Sequence, residues 1–140
     1  MSQSRGVWLS VLANWSTAFT IPGAMARTVL IVDDHPSFRA SARMLLESEG
    51  FDVVGEAQDG RSALTAIREL LPQVVLLDVQ LPDINGFDVA AQLRANGSMP
   101  MVVFTSSRDV DDLGPLADVP CVRGFIPKSE LSGAALEALL

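Results

Sequence analysis

The chain reads as an α/β domain: a parallel sheet covered by helices on both faces, three layers in all. Three observations predict this. Short apolar runs rich in Val, Leu and Ile alternate five times with stretches of helical periodicity. Runs such as TVLIV (28–32) and QVVLLDVQ (73–80) carry apolar residues on both faces, as strands covered from both sides do. Glycine or proline stands where one pattern gives way to the next, as at Gly50 and Pro72. Strands joined by helical crossovers run parallel, the crossovers are right-handed, and ligands in such sheets bind beyond the carboxyl ends of the strands.

The elements follow in order. TVLIV is the first strand. PSFRASARMLLESEG (36–50) is helical: Pro36 fits the first turn, Phe38, Ala42, Leu45 and Leu46 share a face, and Gly50 ends it. FDVVGEA (51–57) alternates enough for the second strand. GRSALTAIRELL (60–71) repeats apolar residues at Ala63, Leu64, Ile67 and Leu71, and Pro72 stops it. QVVLLDVQ is the third strand and the most deeply buried in character. NGFDVAAQLRAN (85–96) is a helix, MPMVVFTSS (99–107) a strand, and 109–118 a weaker helix cut by Gly114-Pro115. CVRGFIPK (121–128) is the fifth strand, and SELSGAALEALL (129–140) a final short helix.

Length and composition fit one domain with a full core: 140 residues, 49% hydrophobic. A net charge of -7 without a basic cluster argues against a reader of nucleic-acid phosphates. The single cysteine, Cys121, excludes a disulfide framework and a cysteine-rich metal site; it reads as a small core residue in a reducing cytoplasm. Residues 1–24 stand apart. GVWLSVLANWSTAFTI loosely imitates a secretory signal, but Ser10, Asn14, Ser16 and Thr17 interrupt it, and it is shorter than the roughly 20 residues of a membrane span. We expect a disordered or loosely packed extension, with Met25 opening a folded domain over 25–140.

Chemistry gathers at the strand ends. The first strand runs into Asp33 and Asp34, the third into Asp78, the fourth into Thr105 and Ser106, and the fifth into Lys128. Carboxylates brought together repel and raise one another's pKa unless something positive joins them. Hard oxygen donors in a shallow, watery site suit Mg2+. A divalent cation and an ammonium together can neutralise a transferring phosphoryl group, and an aspartate can be its nucleophile, forming an aspartyl phosphate. Asp78 is the candidate, because it leaves the central strand; Thr105 offers a hydroxyl to a phosphoryl oxygen. Singly, each residue has a plainer reading: Asp33 and Asp34 as helix caps, Asp78 as a turn former, Thr105 as a loop hydroxyl, Lys128 as a solvated side chain. Their recurrence at four strand ends favours a shared site.

With these residues in view, the chain resembles the receiver domain of bacterial response regulators. The resemblance rests on VDDHPSFR, VVGEAQDGRSAL, LLDVQLPDINGFD, VVFTSS and GFIPK, spans residues 27 to 140, and is nearest to the LuxR/NarL-type subfamily. It implies a flavodoxin-like fold with strand order 2-1-3-4-5, a cytoplasmic phosphorelay protein, and transfer of a phosphoryl group from a histidine kinase or histidine phosphotransfer protein. It implies Asp78 as phosphoacceptor, Mg2+ held by Asp33, Asp34, Asp78 and the Gln80 carbonyl, Thr105 and Lys128 as catalytic partners, and Thr105 with Phe125 as the switch. Phe125 as a plain core aromatic stays open. Pro82 and Gly86 match the loop after the acceptor. The expected partners beyond the kinase are a downstream protein and a second copy of the chain, with no direct nucleic-acid or membrane contact. The sequence shows no output domain and reaches Leu140 inside the last helix, which fits either a stand-alone receiver acting through protein contacts or a piece of a longer regulator. We expect no turnover beyond the chain's own phosphorylation and dephosphorylation.

Departures from the family pattern are specific. Ser129 follows Lys128 where a cis proline is common, and Pro127 precedes it; Ser106 stands where alanine is common. His35, the only histidine, reads as a helix-start residue rather than as a triad member with Ser37 and Asp34. Two rivals stay open. A haloacid-dehalogenase-type phosphatase needs a second acid two residues after its nucleophile, where this chain has Gln80. A phosphorylation-independent interaction module would keep the fold alone.

Overall fold

In the computed structural model, residues 26–95, 97, 100–107 and 121–140 are described. The expected extension 1–24, the domain start at Met25 and the expected helix at 109–118 lie outside the described residues. The element order is β1 (Thr28–Val32), α1 (Pro36–Ser48), β2 (Asp52–Ala57), α2 (Gly60–Leu70), β3 (Val74–Asp78), α3 (Gly86–Ala95), β4 (Met101–Ser106), β5 (Val122–Pro127), a 3-10 turn (Lys128–Glu130) and α4 (Gly133–Leu139). The sheet has the order β2-β1-β3-β4-β5 with parallel pairing throughout. This is the flavodoxin-like arrangement expected from the sequence.

Alternation along each strand assigns its side chains to the two helical layers. Val29 and Ile31 of β1, Val74 and Leu76 of β3, Val103 and Ile126 pack with Ala42 and Leu46 of α1 and Leu136 of α4. Leu30, Val32, Val75, Leu77, Val102 and Phe104 pack with Ala63 and Ile67 of α2 and Val89, Ala90 and Leu93 of α3. Each fully buried Val or Leu contributes roughly 1.5–3 kcal/mol over an exposed one. The rigid layers leave the carboxyl edge of the sheet to polar residues. Cys121 is buried and free, as expected.

Two helices depart from the expected bounds. Leu71, placed by periodicity on the apolar face of α2, is instead its C-cap in the left-handed region (φ 49°) and 77% exposed. Pro72 forces the chain out of the helix there. A left-handed L-residue costs about 1–2 kcal/mol, and glycine's extra backbone entropy returns part of that. Leu71→Gly is expected to stabilise the fold by about 0.5–1 kcal/mol, read as a higher urea midpoint at unchanged slope.

The last helix begins four residues later than its sequence pattern suggested, at Gly133 rather than Ser129. Ser132 is the N-cap, its hydroxyl accepting the Ala135 N–H at 2.9 Å, and Gly133 opens the helix with its N–H on the Glu49 carboxylate. A Cβ on Gly133 would collide with that carboxylate. Residues 128–130 form a single 3-10 turn instead, which carries Lys128 at the end of β5.

Candidate functional site

β1 and β3 lie side by side in the middle of the sheet, so their ends bring Asp33 and Asp78 together. Both are buried, Asp33 completely. The Lys128 ammonium bridges them: Nζ lies 2.6 Å from Asp33 Oδ2 and 3.3 Å from Asp78 Oδ2. The remaining oxygens face backbone donors. Asp33 Oδ1 accepts the His35 N–H at 2.8 Å, and Asp78 Oδ1 accepts the Gln80 N–H at 3.1 Å. Asp34 is partly exposed at the rim. Asp33, Asp34, His35 and Asp78 each offer a ligand atom, all within 4.8 Å of one another.

Electrostatics separate the two buried acids. Burial pushes the Asp78 carboxyl above its ordinary value, and the Asp33 charge adds to this, against the Gln80 N–H and the Lys128 ammonium. Burial also pushes Asp33 up, but hydrogen bonds from Lys128 and from the His35 N–H and ring outweigh it, so Asp33 stays below the usual range. Burial disfavours the Lys128 ammonium, yet Asp33 and Asp78 together hold its pKa above the ordinary value. Asp33 and Lys128 thus form a settled ion pair. Asp78 is the carboxylate that lacks full compensation, the condition in which an added cation or phosphoryl partner gains most.

β4 supplies the hydroxyl. Thr105 pairs in register with Asp78, is completely buried, and its Oγ1 has no hydrogen-bond partner among the described residues. A buried polar atom in that condition costs about 1–3 kcal/mol, and such groups occur where a ligand or a second conformation satisfies them.

Support comes from α1 and from the loop after β3. The Phe38 ring lies under the Lys128 ammonium, 4.7 Å from its centroid. Arg39 donates to the Asp33 carbonyl at 2.6 Å and to Glu56 at 3.0 Å, tying α1 to β2 around the acid pair. Asp83 accepts the Gly60 and Arg61 N–H groups at 2.8 and 2.9 Å, fastening the loop to the start of α2. Gly86 donates to the Val79 carbonyl at 2.7 Å, and a Cβ there would stand 2.6 Å from the Asp78 carbonyl oxygen. Gly86→Ala is therefore expected to destabilise the chain by about 1–3 kcal/mol, measured by thermal unfolding.

The structure gathers Asp33, Asp34, Asp78, Thr105 and Lys128 at one edge. Gln80 is adjacent and exposed, with its N–H turned to Asp78. Pro82 lies exposed in the loop that Gly86 closes. Phe125 is half-buried on β5 and packs on the α2–α3 side of the core. No cis peptide occurs among the described residues, and Pro127 ends β5 in register with Ser106. Neither acid caps α1. The N-cap is His35, without a side-chain cap bond, and its ring lies against the acids instead. The contacts of Phe38, Arg39 and Asp83 were absent from the sequence reading. Each links residues far apart in the chain, and no short motif announces it.

Comparison with known proteins agrees with this geometry. The family model described as response regulator receiver domain matches residues 29–139. The DNA-binding response regulator MtrA of Mycolicibacterium smegmatis is 46% identical over 110 residues, covering 74% of this chain and 47% of its own. The chain thus spans about half the length of the curated relatives it matches. The signal receiver domain of the response regulator NarL from Mycobacterium tuberculosis superposes with a TM-score of 0.66 at 34% identity, covering 81% of this chain and 96% of that one. A LuxR-family two-component response regulator from Aurantimonas sp. superposes with a TM-score of 0.70 at 27% identity, covering 81% of each chain. With the family model matching most of the chain and a 46% identical relative among response regulators, the chain belongs to the response regulator receiver domain family.

Proposed function

We propose that the chain is the phospho-accepting receiver of a two-component phosphorelay, taking a phosphoryl group from a phosphohistidine onto Asp78. The observation that carries this is the shared cation: one ammonium serves two buried carboxylates at adjoining strand ends, and Asp78 is the one left undercompensated. Three carboxylates against one ammonium leave the pocket short of positive charge. The oxygen donors Asp33, Asp34 and Asp78, with the Gln80 carbonyl, fit a hard divalent cation, and Mg2+ is the reading we adopt. When bound, Mg2+ supplies charge against the phosphoryl oxygens.

The chain's own residues do the rest. A carboxylate oxygen of Asp78 attacks phosphorus in line; the new O–P bond forms as the P–N bond to the donor imidazole breaks, and the ring leaves with the bonding pair. Lys128 stands close enough to pair with the incoming oxygens. Thr105 turns its unpartnered hydroxyl toward the phosphoryl group, and Phe125 responds by turning inward from its half-buried position. The added group brings roughly -1.5 to -2 charges, enough to shift a balance between two packings of this face. The face so altered meets a downstream protein or a second copy of the chain. The partners are a sensor histidine kinase or a histidine phosphotransfer protein, in a cytoplasmic setting; among the described residues no helix is long and apolar enough to cross a membrane. The chain acts on no external substrate and catalyses only changes at its own aspartate.

Incubation with acetyl phosphate and Mg2+ tests this. The folded chain is expected to gain one phosphoryl group that alkali and hydroxylamine remove, as for an acyl phosphate, and EDTA in excess is expected to reduce the gain to background. A folded chain that stays unmodified with Mg2+, or is modified equally in EDTA, overturns the reading.

A further inference from the structure

We propose that His35 is a nitrogen ligand of the acidic pocket, which makes the pocket a site for a borderline divalent transition ion, Zn2+ above all, and not for hard cations alone. This rests on the cation-binding reading of that pocket and concerns which ion it takes.

The His35 ring nitrogen Nδ1 lies 2.9 Å from Asp33 Oδ1 and 3.1 Å from Asp34 Oδ1. An N-cap side chain ordinarily turns forward to accept a helix N–H. His35 makes no such bond, and its ring lies back over the acids. Its backbone is held there: the N–H is fixed on Asp33 Oδ1 at 2.8 Å, and Pro36 restricts it to the extended conformation observed, φ -97° and ψ 107°. The ring remains 64% exposed, so an ion can reach it from solvent. Thr105, in register with Asp78, adds a second sign of an incomplete site: its hydroxyl is fully buried and unpartnered among the described residues.

A carboxylate only accepts, so the ring donates a proton from Nδ1 to the acids. An ion can take the place of that proton, which passes to solvent. Two donors bonded to a tetrahedral Zn2+ at about 2.0–2.1 Å stand about 3.3–3.4 Å apart. Nδ1 lies 3.1 Å from Asp34 Oδ1 and 2.9 Å from Asp33 Oδ1, so the donors need to part by only roughly a few tenths of an ångström to admit the ion. Oxygen donors alone suit Mg2+, whereas imidazole with carboxylates suits Zn2+ and its neighbours, which bind such mixed sites more tightly.

The test uses the full chain and Mn2+ as the probe, followed by electron paramagnetic resonance. Bound Mn2+ is expected to show nitrogen modulation from one imidazole, absent in His35→Gln. Zn2+ is expected to displace Mn2+ at a concentration about 100-fold or more below that needed for Mg2+. His35→Gln should narrow this preference by about tenfold or more, while Mg2+ competes within about twofold of wild type. His35 is exposed, so the variant keeps the fold. No nitrogen modulation, with an unchanged preference in His35→Gln, overturns the role of His35 and leaves the cation pocket standing. Mn2+ that fails to bind, or binds equally well to the Asp34→Asn/Asp78→Asn variant, overturns the pocket itself.

Discussion

Asp78→Asn is expected to lower phosphorylation by acetyl phosphate at least 100-fold, because the amide offers no anionic oxygen to attack phosphorus. The same substitution is expected to stabilise the metal-free chain at neutral pH. Burial and the Asp33 charge raise the Asp78 pKa in the folded state. The folded chain therefore binds more protons than the unfolded chain between the ordinary value of 3.8 and the raised one, and Asp78 withdraws stability as pH rises through that window. Asp33 has the opposite sign: its pKa is lowered, so its contribution is present above 3.8 and lost as pH falls through the lowered value. The Asn variant removes the first effect, gives up the longer Lys128 contact at 3.3 Å, and leaves the Asp33–Lys128 pair at 2.6 Å in place. Its melting temperature should exceed that of wild type by a few degrees at pH 7, and the difference should vanish below the unfolded value. A lower melting temperature at pH 7 would contradict this. Loss of function with gain of stability marks a residue kept for its chemistry.

Lys128→Ala is expected to have the largest effect on stability. Its ammonium is the positive partner of two buried carboxylates, and removing one side of such a pair costs about 3–5 kcal/mol. The loss should be greatest above the ordinary carboxylate range, where both acids must stay ionised, and should shrink on acidification. Added Mg2+ should recover part of it, because a divalent cation restores charge to the same oxygens. Denaturant titrations with and without Mg2+ measure all three. An equal loss at every pH and Mg2+ concentration would assign Lys128 to packing against Phe38 rather than to charge.

The sequence carried much of the fold because the strands state their burial openly. VLIV and VVLL are apolar at every position, which only a doubly covered sheet accommodates, and the helical stretches between them leave parallel pairing as the outcome. Helix ends were less legible. Leu71 continues the apolar spacing of α2, yet Pro72 overrides it, and α4 starts at Gly133 rather than at Ser129, where the Gly133 N–H meets Glu49, far away in the chain. The acids, hydroxyl and lysine of the site were legible because each ends a strand, and strand ends converge by topology alone. The ring of His35 was not, since whether an N-cap side chain turns toward its helix or back over a neighbouring charge depends on the pocket. Phe38 under the ammonium and Asp83 on the start of α2 are tertiary contacts with no short-range signal.

The central claim is that Asp78, out of three clustered carboxylates and a histidine, receives the phosphoryl group. Reduction with borohydride after treatment with acetyl phosphate and Mg2+ converts an acyl phosphate to an alcohol in place, and peptide mass spectrometry then locates it. Conversion at Asp78 alone is the predicted result. Conversion at Asp33 or Asp34, or a phosphoryl group carried on His35 with Asp78 untouched, would contradict it.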